Sequence, residues 1–216
     1  MSDCDWLVTN ESQCVPLEGK AQSIATKTYW AEKPYRLHRF LTDVEDIIWH
    51  ESDDRVRLQK ICPLVRRLLN SSEWILSNFS LPDPETGWSV QLHYDEPDFP
   101  ITVQTVAWAP QSVSPIHNHA TWGIVAMLDG QEQNTFWKRS PTSEFPDLIE
   151  QTGSHLLTPG DILCLMPEAI HQIKAIPQSG RDANGDEPTI SFNVYGVTDY
   201  DRRCEFNLAQ QTAAIF

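Results

Sequence analysis

The chain has 216 residues, 40% of them hydrophobic, enough for one well-filled domain and too few for two of independent size. A formal net charge of −14 repels phosphate backbones and anionic bilayer surfaces, and no local basic patch offsets it. Nucleic-acid and membrane partners are therefore not expected, whereas small molecules are. Apolar runs such as 124–128 are too short to span a bilayer. The opening MSDCDWLVTNESQ has neither the basic start nor the apolar stretch of a signal peptide, which predicts a cytoplasmic location.

Residues 1–33 mix Ser, Thr, Asn, Gln and Glu with isolated aromatics and read as an irregular arm. From Pro34, Leu37, Phe40, Leu41, Val44, Ile47 and Ile48 recur at three- and four-residue spacing, the stripe of an amphipathic helix. A second stripe, Leu58, Ile61, Cys62, Val65, Leu68 and Leu69, follows Asp53 and Asp54, which suit a helix start, and Pro63 is expected to bend it. A short third helix is predicted over 72–78, before SLPDPETG breaks the pattern.

Beyond Gly87 the helical stripes give way to short runs of β character: WSVQLHY, ITVQTVAWA, GIVAML, QEQNTFWKR, SHLLT, DILCLM, HQIKAI and TISFNVYG. LDGQ at 128–131 and TPGD at 158–161 signal tight turns, and PQSGRDANGDEP at 177–188 reads as a polar loop between strands. About eight short strands in one domain predict a mainly β, closed or sandwiched antiparallel sheet of jelly-roll or small-barrel form. The boundaries are a helical lead-in over 34–80, a β-barrel over 88–196 and a C-terminal segment over 197–216. Five scattered cysteines, Cys4, Cys14, Cys62, Cys164 and Cys204, fit reduced thiols; Cys62 and Cys164 read as core fillers, and none has metal-ligand spacing.

In PIHNHATWG, a strand at 115–119 would point His117 and His119 to one face and Asn118 to the other. An HxH pair alone does not separate two ligands from two polar residues near a strand end. A third histidine, His171, follows the Pro-Gly turn, apolar strand and Pro167 of TPGDILCLMPEAIHQI. In SFNVY, Ser191, Asn193 and Tyr195 share one face by strand period.

SPIHNHATWGIVAMLDGQEQ, PEAIHQI and ISFNVYG, in that order, resemble the cysteine dioxygenase type of cupin, and in particular its bacterial 3-mercaptopropionate dioxygenase branch. The resemblance covers roughly 34–216. It implies a cupin fold, a double-stranded β-helix or jelly-roll small barrel with the N-terminal α-helices packed outside, and Fe(II) held by His117, His119 and His171. Many cupins have a glutamate shortly after the histidine pair, whereas Ala120–Val125 contains no carboxylate. Three neutral imidazoles leave the full divalent charge and open positions for an anionic ligand plus dioxygen, which suits a thiolate.

The family also has a Ser-His-Tyr row in which the tyrosine hydroxyl approaches substrate and iron. Here Ser191 and Tyr195 match, and Asn193 stands in the middle. Asparagine can bridge two hydroxyls and position Tyr195, but it does not change charge, so a flatter activity profile between about pH 6 and 8 is expected. The alternative is that the row is only a satisfied strand face.

In TDYDRRCEFN, Arg203, with Arg202 close behind, stands where the mercaptopropionate-type relatives have an arginine thought to clamp the substrate carboxylate; a solvated pair beside Asp199 and Asp201 is the competing reading. Gln91 matches a family glutamine that helps hold substrate, and Trp122 is read as either pocket wall or core. The crosslinking cysteine of animal-type cysteine dioxygenases is missing, with Gly123 in that region. His38, His50, His93 and His155 read as structural or exposed, and Tyr94, Trp108 and Trp137 as core.

The function these expectations describe is Fe(II)-dependent addition of both atoms of O2 to the sulphur of a small thiol carboxylate, 3-mercaptopropionate or cysteine, giving a sulfinate. Two other functions fit the same residues: a metal-dependent cupin acting on a non-thiol molecule, and a non-catalytic ligand-binding cupin in which Asn193 marks a decayed row.

Overall fold

The computed structural model describes residues 5–17, 34–177 and 187–215. Three helices, α1 (Leu37–His50), α2 (Asp54–Leu69) and α3 (Glu73–Ser77), precede most of the strands. Asp53 caps α2 by accepting a hydrogen bond from Val56 N at 3.1 Å. A cap of this kind stabilises a helix by about 1 kcal/mol. The helix continues through Pro63 to Leu69 despite the missing N–H, because its apolar stripe is held by packing: Leu58, Ile61, Cys62, Val65 and Leu68 are all buried.

The strands are β1 (Asp5–Val8), β2 (Cys14–Pro16), β3 (Trp88–Asp95), β4 (Thr102–Trp108), β5 (Ile116–Asn118), β6 (Gly123–Asp129), β7 (Glu132–Arg139), β8 (Ile149–Leu157), β9 (Ile162–Leu165), β10 (Ile170–Ala175), β11 (Thr189–Tyr195), β12 (Cys204–Asn207) and β13 (Thr212–Ile215). They form two sheets, ordered β2-β1-β9-β6-β11-β4-β3 and β13-β12-β5-β10-β7-β8. From β4 to β12 the chain changes sheet at every connection except β7 to β8, which winds the two sheets around a shared interior as a double-stranded β-helix. The expected mainly β fold with helices outside is what the chain adopts.

Burial explains the near-continuous apolar runs of the first sheet. Ile124 and Ala126 of β6, Ile162 and Cys164 of β9, and Phe192 and Val194 of β11 face the helices, in one cluster with Phe40, Val44 and the α2 stripe. The alternate residues Val125, Met127, Leu163 and Leu165 turn inward and pack with Phe136 and Leu157 of the second sheet. Strands β6 and β9, covered by apolar neighbours on both faces, show no polar alternation. At the β6–β7 turn Gly130 has φ +79°, and a Cβ there would meet Thr189 backbone at 2.7 Å, so the LDGQ turn needs glycine twice over.

Several expectations about organisation change. The arm at 1–33 is not irregular throughout: β1 runs parallel to β9 and antiparallel to β2, and Asp5 pairs with Arg66 of α2. Residues 18–33 lie outside the described residues, as does most of the 177–188 loop. The C-terminal segment joins the barrel, with β12 paired to β5 and β13 to β12. SHLLT is the end of the nine-residue β8, whose start the sequence hides because much of that strand is exposed at the sheet edge.

Candidate metal centre and pocket

The side chains of His117 and His119 come from β5 and the residue after it, and His171 comes from β10, which pairs with β5 so that His171 stands opposite His117. Their ligand atoms lie within 4.8 Å of one another, and the His119 and His171 Nε2 atoms are 3.0 Å apart. His117 and His171 are buried and His119 is partly so. Two of the other ring nitrogens are engaged: His117 Nδ1 donates to the Pro115 carbonyl at 3.0 Å, and His171 Nδ1 donates to Asn134 Oδ1 at 3.0 Å. Each of those bonds leaves Nε2 as an unprotonated donor atom.

The electrostatics point the same way. Burial lowers the His117 pKa to about 4, helped by the Arg203 charge against a raising contact from Pro115. Burial also holds His119 and His171 well below their ordinary range, each further lowered by neighbouring histidines. All three are held towards the neutral form, and their ligand atoms are gathered within 4.8 Å of one another, a cluster a cation can fill. The three histidines are a candidate metal centre. Three nitrogen donors, two of them with the second ring nitrogen engaged, fit a divalent transition ion.

The centre opens on a cavity of about 220 Å³. Its polar lining is His117, His119, Ser191, Asn193, Tyr195 and Arg203, with Gln104 and Ser114. Its apolar lining is Trp88, Val90, Val106, Trp108, Val125 and Ile173, with Pro115. No aspartate or glutamate lines it among the described residues. The Trp108 indole N–H is buried without a hydrogen-bond partner.

Ser191, Asn193 and Tyr195 thus do share one face of β11 and turn into the cavity. The expected hydrogen-bonded row is not what holds the tyrosine, however: Asn193 Oδ1 is buried without a partner. Tyr195 is placed by its ring, stacked on His119 at 4.6 Å between centroids and 25° between planes. Across the ladder it faces Gly123, where a Cβ would lie 2.8 Å from the tyrosine ring. Gly123 is where it is because the ring occupies the space a side chain would take. Burial raises the Tyr195 phenol pKa, Glu132 adds to the rise, and Arg203 opposes it.

The two arginines separate. Arg203 lines the cavity, whereas Arg202 lies outside it and pairs at the surface with Glu168. Arg202 therefore does not line this cavity: it belongs to the turn in which the Arg202 and Arg203 N–H groups both donate to Asp199 O, and its side chain leaves that turn towards Glu168. Asn118, facing away from its histidine neighbours, bonds the backbone on both sides of Arg203: its Nδ2 donates to Arg202 O at 3.1 Å and its Oδ1 accepts from Cys204 N at 2.7 Å.

Gln91 is also outside the cavity. Trp88 and Val90 of β3 face inward, so Gln91 faces out, accepting from Ser80 and donating to Leu92 O. The pocket glutamine is Gln104 of β4. Trp122 is core, packed with the helix-facing cluster, and its indole meets Gly196. Trp108, read as core from the sequence, is buried in a core cluster with Val106, Ile173 and Ala175, and it also forms pocket wall.

Two polar residues of the interior escaped the sequence reading. Glu132, Asn134 and Phe136 alternate inward along β7, all buried. The available signal was Phe136, whose core position fixes the inward register of the other two. Asn134 orients His171. Glu132 is a carboxylate with no exposure, and neither oxygen has a hydrogen-bond partner. Ser191, across the barrel, and Asn134 stand near enough to hold its pKa down, though neither is in hydrogen-bonding geometry; burial outweighs both and raises it to about 7.

No protein-family model matches the chain. Among solved structures it is similar to oxalate oxidase in complex with the substrate analogue glycolate, at 12% identity over 56% of this chain and 57% of that one, with a TM-score of 0.41. It is similar as well to a cupin superfamily protein from Desulfitobacterium hafniense, at 10% identity over 57% and 87% and a TM-score of 0.40. KdgF from Halomonas sp. matches at 14% identity over 55% and 88%, with a TM-score of 0.39. The chain spans a little over half the length of the oxalate oxidase. Among the described residues no helix is long and apolar enough to cross a membrane.

Proposed function

We propose that the protein is an Fe(II)-dependent thiol dioxygenase that converts a small thiol carboxylate, preferentially 3-mercaptopropionate, to its sulfinate. The observation that carries this reading is the pairing, in one cavity, of a three-histidine centre without a carboxylate and the Arg203 guanidinium. A ligand with one anionic group for the centre and a planar anion for a guanidinium fork answers both. Among the described residues the lining contains no acidic group to receive an ammonium, which favours 3-mercaptopropionate over cysteine.

When bound by His117, His119 and His171, iron would supply coordination of the thiolate and activation of O2. The chain's own residues do the rest. Asn134 and the Pro115 carbonyl keep two imidazoles in the tautomer that presents Nε2. Arg203, held between the two Asn118 bonds, fixes the carboxylate end, so the sulphur is delivered at one distance and angle. Tyr195 keeps its phenol protonated and able to donate into the cavity. Val125, Val106 and Ile173 exclude water from the apolar side.

The test is oxygen uptake by protein loaded anaerobically with Fe(II), on addition of 3-mercaptopropionate, with cysteine and a His171→Ala variant alongside. Uptake that yields sulfinate and disappears in the variant supports the reading. Iron binding with no uptake on either thiol refutes the substrate class. It would turn attention to a non-thiol anion with an apolar body, the second reading, which the Trp88 and Trp108 wall favours.

A further inference from the structure

The cavity changes character along its length. On β4 the inward residues Gln104, Val106 and Trp108 all line it, and their ladder partners on β11 are Asn193, Ser191 and Thr189 in turn. Gln104 is thus nearest the Tyr195 and His119 end and Trp108 is farthest from it. At about 3.3 Å per residue the three cover about 13 Å. The second sheet changes in the same direction: on β10 His171 is followed two residues on by Ile173, which packs with Val106 and Trp108. Arg203 belongs to the histidine end, because Asn118, which bonds the backbone on both sides of it, sits between His117 and His119. At the far end the polar lining groups are the uncharged hydroxyls of Ser114, bonded to Ile173 N, and Ser191, opposite Val106.

A three-carbon thiol carboxylate is about 7 Å long, the reach of two extended residues. Held by its sulphur at the histidines and by its carboxylate at Arg203, it stays at the polar end and leaves the apolar end uncovered. That end also opens outward. Trp88 and Val90 of the edge strand β3 pair with Trp108 and Val106 and line the same cavity, yet they are 42% and 37% exposed where their partners are 8% and 6%. The wall therefore runs from a buried floor to a solvent-facing lip with no charge on it. Trp88 and Trp108 stand 6.0 Å apart between ring centroids, tilted by 37°. Indole faces beside aliphatic side chains suit an aromatic ring.

We infer that Trp88, Val90, Val106, Trp108 and Ile173 form a second subsite, which takes an aromatic tail, and that the substrate is a 3-mercaptopropionate bearing an aryl group on its carbon chain. The inference rests on the thiol reading above and deepens it: the histidine centre and Arg203 bind the head of the molecule, and the two tryptophans select its body. Trp88, at the lip, is the specificity residue most open to substitution, since it is the most exposed of the five.

The experiment measures binding, anaerobically, from the thiol-induced change in the spectrum of Fe(II)-loaded protein. The ligands are 3-mercaptopropionate, 2-benzyl-3-mercaptopropionate and, as a polar control, the 2-hydroxymethyl analogue. The wild type is expected to bind the benzyl compound about tenfold or more tighter than 3-mercaptopropionate, and the hydroxymethyl compound no tighter. Trp88→Ala is expected to lose most of the benzyl preference, read as the ratio of the two affinities. Equal or weaker binding of the benzyl compound by the wild type, or a ratio unchanged in Trp88→Ala, overturns the subsite and leaves the thiol reading standing. No spectral change with any of the thiols overturns both. If Trp88→Ala does not fold, fluorine NMR of Zn(II)-loaded protein carrying fluorotryptophan decides, with the Trp88 signal assigned from Trp88→Phe. A shift of that signal with the benzyl compound and not with 3-mercaptopropionate supports the subsite, and no shift with either refutes it.

Discussion

Replacing Glu132 by Gln should change how stability depends on pH, and by an amount the structure sets. The carboxyl group is wholly buried and its pKa is raised from 4.5 to about 7. Between those values the folded chain keeps a proton that the unfolded chain gives up, so stability falls as pH rises from the unfolded value and levels off above the folded one. The full span, at 1.36 kcal/mol per unit, is about 3.4 kcal/mol, of which about 2.5 kcal/mol is traversed between pH 5 and 8. The depressed histidines act with the opposite sign: they lose protons on folding, so their contribution grows as pH rises through their folded values towards the unfolded one. They are common to both proteins and cancel in the difference. Urea unfolding of metal-free wild type and Glu132→Gln at pH 5 and 8 should therefore show the variant gaining about 2.5 kcal/mol on the wild type across that range. A difference that does not change with pH would mean that Glu132 is ionised and solvated in the folded state, and the reasoning from its burial would be wrong.

Replacing Asn134 by Leu removes the acceptor that orients His171, and metal affinity by competition with a chelator should fall about 10- to 100-fold while the fold survives. Arg203→Lys keeps the charge and loses the fork, so KM for 3-mercaptopropionate should rise about tenfold or more, whereas Arg202→Gln should leave it within about twofold. Gly123→Ala puts a Cβ 2.8 Å from the Tyr195 ring. It should cost about 1–3 kcal/mol in urea unfolding and lower kcat by pushing the ring off His119. An unchanged kcat would show that the stacking does not set the tyrosine's working position.

Much of the site was legible in the chain itself, for a physical reason. His117 and His119 share a face because strand period is two, and the same period turns Ser191, Asn193 and Tyr195 to one side of β11. The helices announced themselves through stripes that must be buried, and the tight turn at 128–131 through a glycine that its backbone requires. Local periodicity settles which residues of one strand point together. It does not settle which strands meet. That Arg203 rather than Arg202 reaches the cavity depends on the Asn118 clamp, and that Gln104 rather than Gln91 lines it depends on which face of β3 and β4 the barrel encloses. The carboxyl group that many cupins carry after the histidine pair is absent from Ala120–Val125, and among the described residues none lines the cavity; Glu132 is brought near Ser191 from a strand of the opposite sheet. Side-chain direction along a strand is a property of the backbone and can be read from spacing, whereas the company a buried group keeps is made by pairing and closure of the two sheets, which only the tertiary structure decides.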